Sequence, residues 1–126
     1  RSILVDVGRC DGCRSCVVGC KNWHELPAGM PGRIKVIDIM AGTYPDVSRW
    51  LFPVMCMQCA FPPCVAVCRF RACYVGEDGI VYLEREKCVG CNLCVLACPY
   101  GVRVMAEDGR VLDGCDFCAD RIHAGG

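Results

Sequence analysis

The chain is poor in the residues that most catalytic and recognition sites are built from. Histidine occurs twice, as His24 and His123. No Ser/His/Asp set, phosphate-cradling loop or pair of carboxylates beside a histidine can be picked out, so acyl transfer, phosphoryl transfer and acid–base chemistry have no candidate machinery. Neither sign of charge is in excess, with 14 Lys and Arg against 14 Asp and Glu. That argues against nucleic acid or an acidic membrane surface, which select a basic excess. No run approaches the ~20 apolar residues of a transmembrane helix. The opening stretch Arg1-Ser2-Ile3-Leu4-Val5-Asp6-Val7 is too short, and too interrupted by Asp6, for a secretory apolar region. The expectation is a soluble or peripheral chain with no membrane span of its own. The missing initial Met fits a segment removed upstream.

What the chain has in quantity is cysteine, 15 residues in 126. Chains this dense in cysteine are disulfide scaffolds or metal proteins. A disulfide framework predicts an even count and irregular spacing, whereas here the count is odd and the cysteines fall in short recurring runs. Cys88, Cys91, Cys94 and Cys98, followed by Pro99, read C-x2-C-x2-C-x3-C-P. That spacing is the bacterial ferredoxin pattern for 4Fe-4S clusters, in which the fourth cysteine serves the other of two clusters. The reason is reach: the first three thiols wrap one loop around a cluster, while the last sits on a helical piece that Pro99 keeps short. Gly90 falls where such a loop needs positive φ or close backbone approach.

The same spacing occurs at Cys10, Cys13, Cys16 and Cys20. Cys56, Cys59, Cys64 and Cys68 follow C-x2-C-x4-C-x3-C, with Pro62-Pro63 stiffening the longer loop. Cys115 and Cys118 form a last C-x2-C pair. Between the runs, residues 3–7 read as a short strand, and Lys21 to Leu26 as the extension of a helix that Pro27 ends. Arg33 to Met40 has strand composition, Ala41 to Asp46 that of a turn, and Trp50 to Met55 that of an extended segment. Trp23, Trp50 and Phe52 are expected in the core.

Glu77-Asp78-Gly79, between Tyr74-Val75 and Ile80 to Leu83, is a hairpin signal, and Glu107-Asp108-Gly109 repeats it 30 residues later. Cys64 and Cys68 are likewise 30 residues from Cys94 and Cys98. One unit therefore recurs, consisting of ligand loop, short helix and hairpin.

Structural zinc is the competing reading. Zinc sites pair C-x2-C knuckles, two to an ion, and the third and fourth cysteines of these runs exceed that need. All-thiolate, closely spaced runs suit iron–sulfur clusters better. The bicluster logic then groups Cys88, Cys91 and Cys94 with Cys68, and Cys56, Cys59 and Cys64 with Cys98. Cys10, Cys13 and Cys16 form three corners of a third cluster, and Cys20 joins Cys115 and Cys118 at a fourth. Two clusters are fully supplied. Each outer one lacks a ligand, as if a C-terminal C-x3-C were missing or supplied by another chain. Cys73 lies outside every run and is assigned as a buried non-ligand. Arg14, Lys21, Arg69, Arg71, Lys87 and Arg103 lie near ligand cysteines, as solvated charges or as tuners of cluster potential.

The segments GRCDGCRSCVVGCK, MQCAFPPCVAVC, DGIVYLEREKCVGCNLCVLACPYGV and GCDFCADRIHAG resemble the four-cluster iron–sulfur subunits of the DMSO reductase (molybdopterin oxidoreductase) family. The sequence departs from that pattern at Arg69, where Pro is usual, at Gln58, where His is frequent, and in the absent half of the last run. The resemblance implies an α+β fold of two ferredoxin-like bicluster domains, with short helices, hairpins and long cluster-binding loops. Residues 55–103 would form the inner domain, and 1–54 with 104–126 a discontinuous outer one. It implies a non-catalytic chain that relays electrons between a molybdenum- or tungsten-pterin subunit and a membrane quinone-reactive subunit or other redox partner. A free polyferredoxin and a zinc-stabilised interaction module are the alternative readings.

Overall fold

The computed structural model describes residues 2–105 and 111–125. Among them, short helices alternate with three antiparallel two-stranded ribbons, and the cysteine runs occupy the connecting loops. The architecture is mixed α/β.

Helix α1, Ser15–Trp23, begins directly after the left-handed residue Arg14 (φ 59°) and carries Cys16 and Cys20. Strands β1, Lys35–Thr43, and β2, Asp46–Val54, then form the longest ribbon, pairing Ile37 with Phe52 and Ile39 with Trp50. β-branched and aromatic cross-strand pairs suit such a ribbon. The turn depends on Gly42 (φ 99°), because a Cβ there would run into the Asp46 carbonyl oxygen. Arg49 Nε donates to Asp38 Oδ1 across the ribbon at 2.8 Å; the pair is exposed and adds little stability.

Helices α2, Pro63–Ala66, and α3, Leu93–Ala97, pack against each other. Both are a single turn, as expected for segments placed between a ligand loop and a chain reversal. Pro63 opens α2 at a position where its missing N–H costs nothing. Each helix leads into a hairpin. Strands β3, Cys73–Val75, and β4, Val81–Leu83, flank the Glu77-Asp78-Gly79 turn. There Asp78 Oδ1 accepts from the Ile80 amide at 3.0 Å, and Asp78 Oδ2 accepts from the Tyr82 hydroxyl at 2.6 Å. Strands β5, Val104–Met105, and β6, Val111–Asp113, pair in the same way. The turn expected at Glu107-Asp108-Gly109 lies outside the described residues. Helix α4, Ala119–His123, follows the last cysteine pair.

One buried apolar cluster consists of Cys64, Cys73, Val81 and Cys94. Thiols thus fill much of the interior. A small chain with so few large apolar residues inside needs staples besides hydrophobic burial.

Two local expectations fail. Residues 3–6 form no strand; the chain instead makes a 3-10 turn at Val7–Arg9, where Asp6 Oδ1 accepts from the Gly8 amide at 3.1 Å. Asp6 favours this local bond over a ladder. Trp23 and Trp50 are not core residues, being 50% and 55% exposed. The Trp23 indole N–H donates to Asp120 of α4 at 3.1 Å, and the Arg121 guanidinium lies 4.8 Å from its ring centre. The ring therefore clamps the first helix to the last by its polar edge and its face.

Candidate metal centres

Four C-x2-C knuckles share one backbone device. The residue before the second cysteine is left-handed in each: Gly12 (φ 76°), Gln58 (φ 46°), Gly90 (φ 74°) and Phe117 (φ 58°). Glycine adopts this at no cost, whereas Gln58 and Phe117 bear strain of about 1 kcal/mol or more each. The turn aims main-chain N–H groups at sulfur. The amide of Gln58 faces the Cys56 thiol, and that of Phe117 faces the Cys115 thiol. Sequence reasoning found the role of glycine but missed Gln58 and Phe117. Aligning the four knuckles would have placed both under Gly12 and Gly90.

The first centre is an apolar cavity between α3 and β3, lined by Cys88, Cys91 and Cys94 together with Cys68 from the preceding run. Phe70 and Leu83 close its walls. Cys73, 2% exposed, lines the same cavity. Its amide lies 3.4 Å from Cys68 Sγ, and its thiol is hydrogen-bonded to Cys94. That bond, more than any other influence, pulls the Cys94 thiol down to about 6 and pushes the Cys73 thiol up. Cys73→Ser keeps a donor of similar size and is expected to keep the full iron content by colorimetric assay. Loss of a cluster's worth of iron would make Cys73 a ligand.

Around the second run, Cys56, Cys59 and Cys64 lie within electrostatic reach of one another. Burial pushes the Cys56 thiol up. Arg103, 6% exposed, donates from Nη2 to Cys64 Sγ at 3.1 Å. It is therefore not one of the solvated surface charges. Cys98 caps α3 in extended conformation, as the chain leaves that helix.

A second cavity lies where α1 meets the C-terminal knuckle, and Cys16, Cys20, Cys115 and Cys118 line it. Arg33 Nη1 donates to Asp116 Oδ1 and to His24 Nε2, both at 3.0 Å. Asp116 Oδ1 also accepts from the Cys118 amide at 3.0 Å, fixing the knuckle. Burial pushes the Cys115 thiol up to about 11 and raises Cys118 as well. Cys13 is exposed and Cys10 partly so, at the outer edge of the first run.

The thiols line cavities, and the amides of Gln58, Cys73 and Phe117 face sulfur. That donor set fits a polynuclear iron–sulfur cluster, whose sulfurs take such hydrogen bonds.

A family model described as a 4Fe-4S dicluster domain matches residues 47–126. The chain belongs to this family. Relatives extend the likeness over nearly the whole sequence. One subunit of the tetrathionate reductase of Salmonella typhimurium is 38% identical, over 98% of the chain and 50% of its own length. The thiosulfate reductase electron transfer subunit of Salmonella typhi is 40% identical, over 98% of the chain and 65% of its own length. One subunit of the selenate reductase of Mesobacillus selenatarsenatis is 46% identical, over 80% of the chain and 34% of its own length. The chain thus spans a third to two thirds of the length of these relatives. Among the described residues, no helix is long and apolar enough to cross a membrane.

Proposed function

We propose that the chain is the electron-relaying part of a larger oxidoreductase and performs no substrate chemistry itself. The observation that carries this is the cavity in which Cys68 joins Cys88, Cys91 and Cys94. Five thiols line this apolar space; the four that belong to the two runs make a closed ligand set, with Cys73 as the non-ligand among them. A cluster held there takes up and releases single electrons without an open coordination position for a substrate.

The inner unit, residues 55–103, then holds two clusters, one on Cys68, Cys88, Cys91 and Cys94 and one on Cys56, Cys59, Cys64 and Cys98. The outer unit, residues 1–54 with 104–126, supplies Cys10, Cys13 and Cys16 to a third cluster, and Cys20, Cys115 and Cys118 to a fourth. The Trp23–Asp120 and Arg33–Asp116 contacts support an outer unit made from both ends of the chain. The relatives are named as subunits of selenate and tetrathionate reductases and as an electron transfer subunit of thiosulfate reductase. Those names support a catalytic partner subunit; the family resemblance makes it one bearing a molybdenum or tungsten pterin. A second redox protein at the far end of the cluster chain, membrane-bound or free, completes the relay.

Anaerobic purification of the native complex tests this. The expected product is brown, contains iron and acid-labile sulfide in equal amounts, and brings a pterin-bearing subunit with it. The chain alone is reduced by a low-potential donor but turns over no small-molecule substrate. Stoichiometric zinc without sulfide, or turnover by this chain alone, overturns the reading.

A further inference from the structure

The 30-residue repeat places Cys73 and Arg103 at equivalent positions. The backbone agrees: Arg71 and Gly101, two residues before each, are both left-handed (φ 52° and 58°). Their contacts are equivalent too. Cys73 packs in one buried cluster with Cys94, the third cysteine of the later run. Arg103 bonds to Cys64, the third cysteine of the earlier run. Each therefore stands behind the run that its own repeat does not contain. The chemistry at the two positions differs. Cys73 offers a neutral, weak S–H donor, and Arg103 a permanent cation with a charge-assisted N–H.

Gly114 keeps room for the guanidinium, since a Cβ there would lie 3.2 Å from Arg103 Nη1. Cys56, Cys73 and Cys94 also lie within electrostatic reach of Arg103, but its hydrogen bond goes to Cys64 alone among the contacts described. A buried positive charge and a strong donor both favour the more negative, reduced state of a nearby cluster, and little water screens them at this depth.

We propose that Arg103 makes the inner cluster of Cys56, Cys59, Cys64 and Cys98 the easier of the two inner clusters to reduce, giving the relay a built-in step between them. Arg103 acts here as a positioning and tuning residue, and Cys73 is its neutral counterpart. The proposal rests on the ligand sets proposed above.

The test is a mediated redox titration followed by electron paramagnetic resonance. It uses the full protein, purified anaerobically, as the unaltered form and as Arg103→Gln, Arg103→Lys and Cys73→Ala. Arg103→Gln removes the charge but keeps an N–H donor. One cluster signal is expected to become at least tenfold harder to reduce, about 59 mV for a one-electron couple, while the other moves by clearly less. Arg103→Lys keeps the charge but loses the fork and some reach, and is expected to move the same signal two- to threefold. Cys73→Ala is expected to move only the other signal. Unchanged midpoints in an iron-replete Arg103→Gln, or equal movement of both signals, overturn the proposal. Should Arg103→Gln fail to retain iron, Arg103→Lys decides: no shift in either signal overturns it. An unaltered protein without iron and sulfide instead overturns the relay reading beneath it.

Discussion

Cys68→Ala is expected to strip iron from a cluster whose other ligands all lie in the next run. Helix α2 ends at Ala66, so the chain is already turning away when it reaches Cys68. That turn carries the thiol into the cavity of Cys88, Cys91 and Cys94. The Cys73 amide, 3.4 Å from Cys68 Sγ, helps hold it there. Removing one thiolate of four opens a coordination position in a cavity whose exposed wall is largely apolar. The iron content is expected to fall by about one cluster per chain.

Stability should fall with it. Structural zinc contributes folding free energy on the order of 10 kcal/mol in small peptides, a cluster that joins two runs acts in the same sense, and Cys94 is part of a buried cluster of side chains. The check is a comparison of cluster spectra among Cys68→Ala, Cys91→Ala and Cys59→Ala. The first two should lose the same signal and the third a different one. If Cys68→Ala and Cys59→Ala lose the same signal, the two runs do not exchange ligands.

The cysteine runs were legible because a ligand loop is local: its spacing, its glycine and its proline are written within a dozen residues. The same holds for the Glu77-Asp78-Gly79 hairpin, whose turn is made by the side chain of Asp78 and the freedom of Gly79 (φ 80°). The strand expected at residues 3–7 failed because alternation is a weak signal in so short a segment, and Asp6 found a bond two residues away. The two tryptophans were misplaced because size alone does not fix burial, and Trp23 has a polar partner across the chain. Arg103 was readable as a charge near cysteines, but not as a buried one. Burial of a cation is decided by what faces it, here Cys64 from another run. The left-handed Gln58 and Phe117 were hidden for the reverse reason: neither residue type advertises a conformation that its loop imposes.

The second large effect concerns Arg33, also 6% exposed, which ties three parts of the chain together. It precedes β1, reaches His24 at the end of α1, and pairs with Asp116 inside the C-terminal knuckle. Arg33→Met keeps most of the side-chain volume but removes the charge and the donors. Breaking a fully buried pair by removing one partner costs about 3–5 kcal/mol. Asp116 retains 24% side-chain exposure, so water recovers part of its solvation and the expected cost is about 2–3 kcal/mol. The loss should be local in its first consequence. Asp116 also accepts from the Cys118 amide, so the outer knuckle loosens before the inner cavities do. In a urea titration with an iron chelator present, Arg33→Met is expected to release the iron of the outer sites at lower denaturant than the unaltered protein, with the inner signals persisting. Adding Asp116→Asn should restore part of the loss, because it removes the carboxylate left without its cation. An Arg33→Met protein as stable as the unaltered one, or one that loses the inner signals first, would show that this ion pair does not hold the two ends of the chain together.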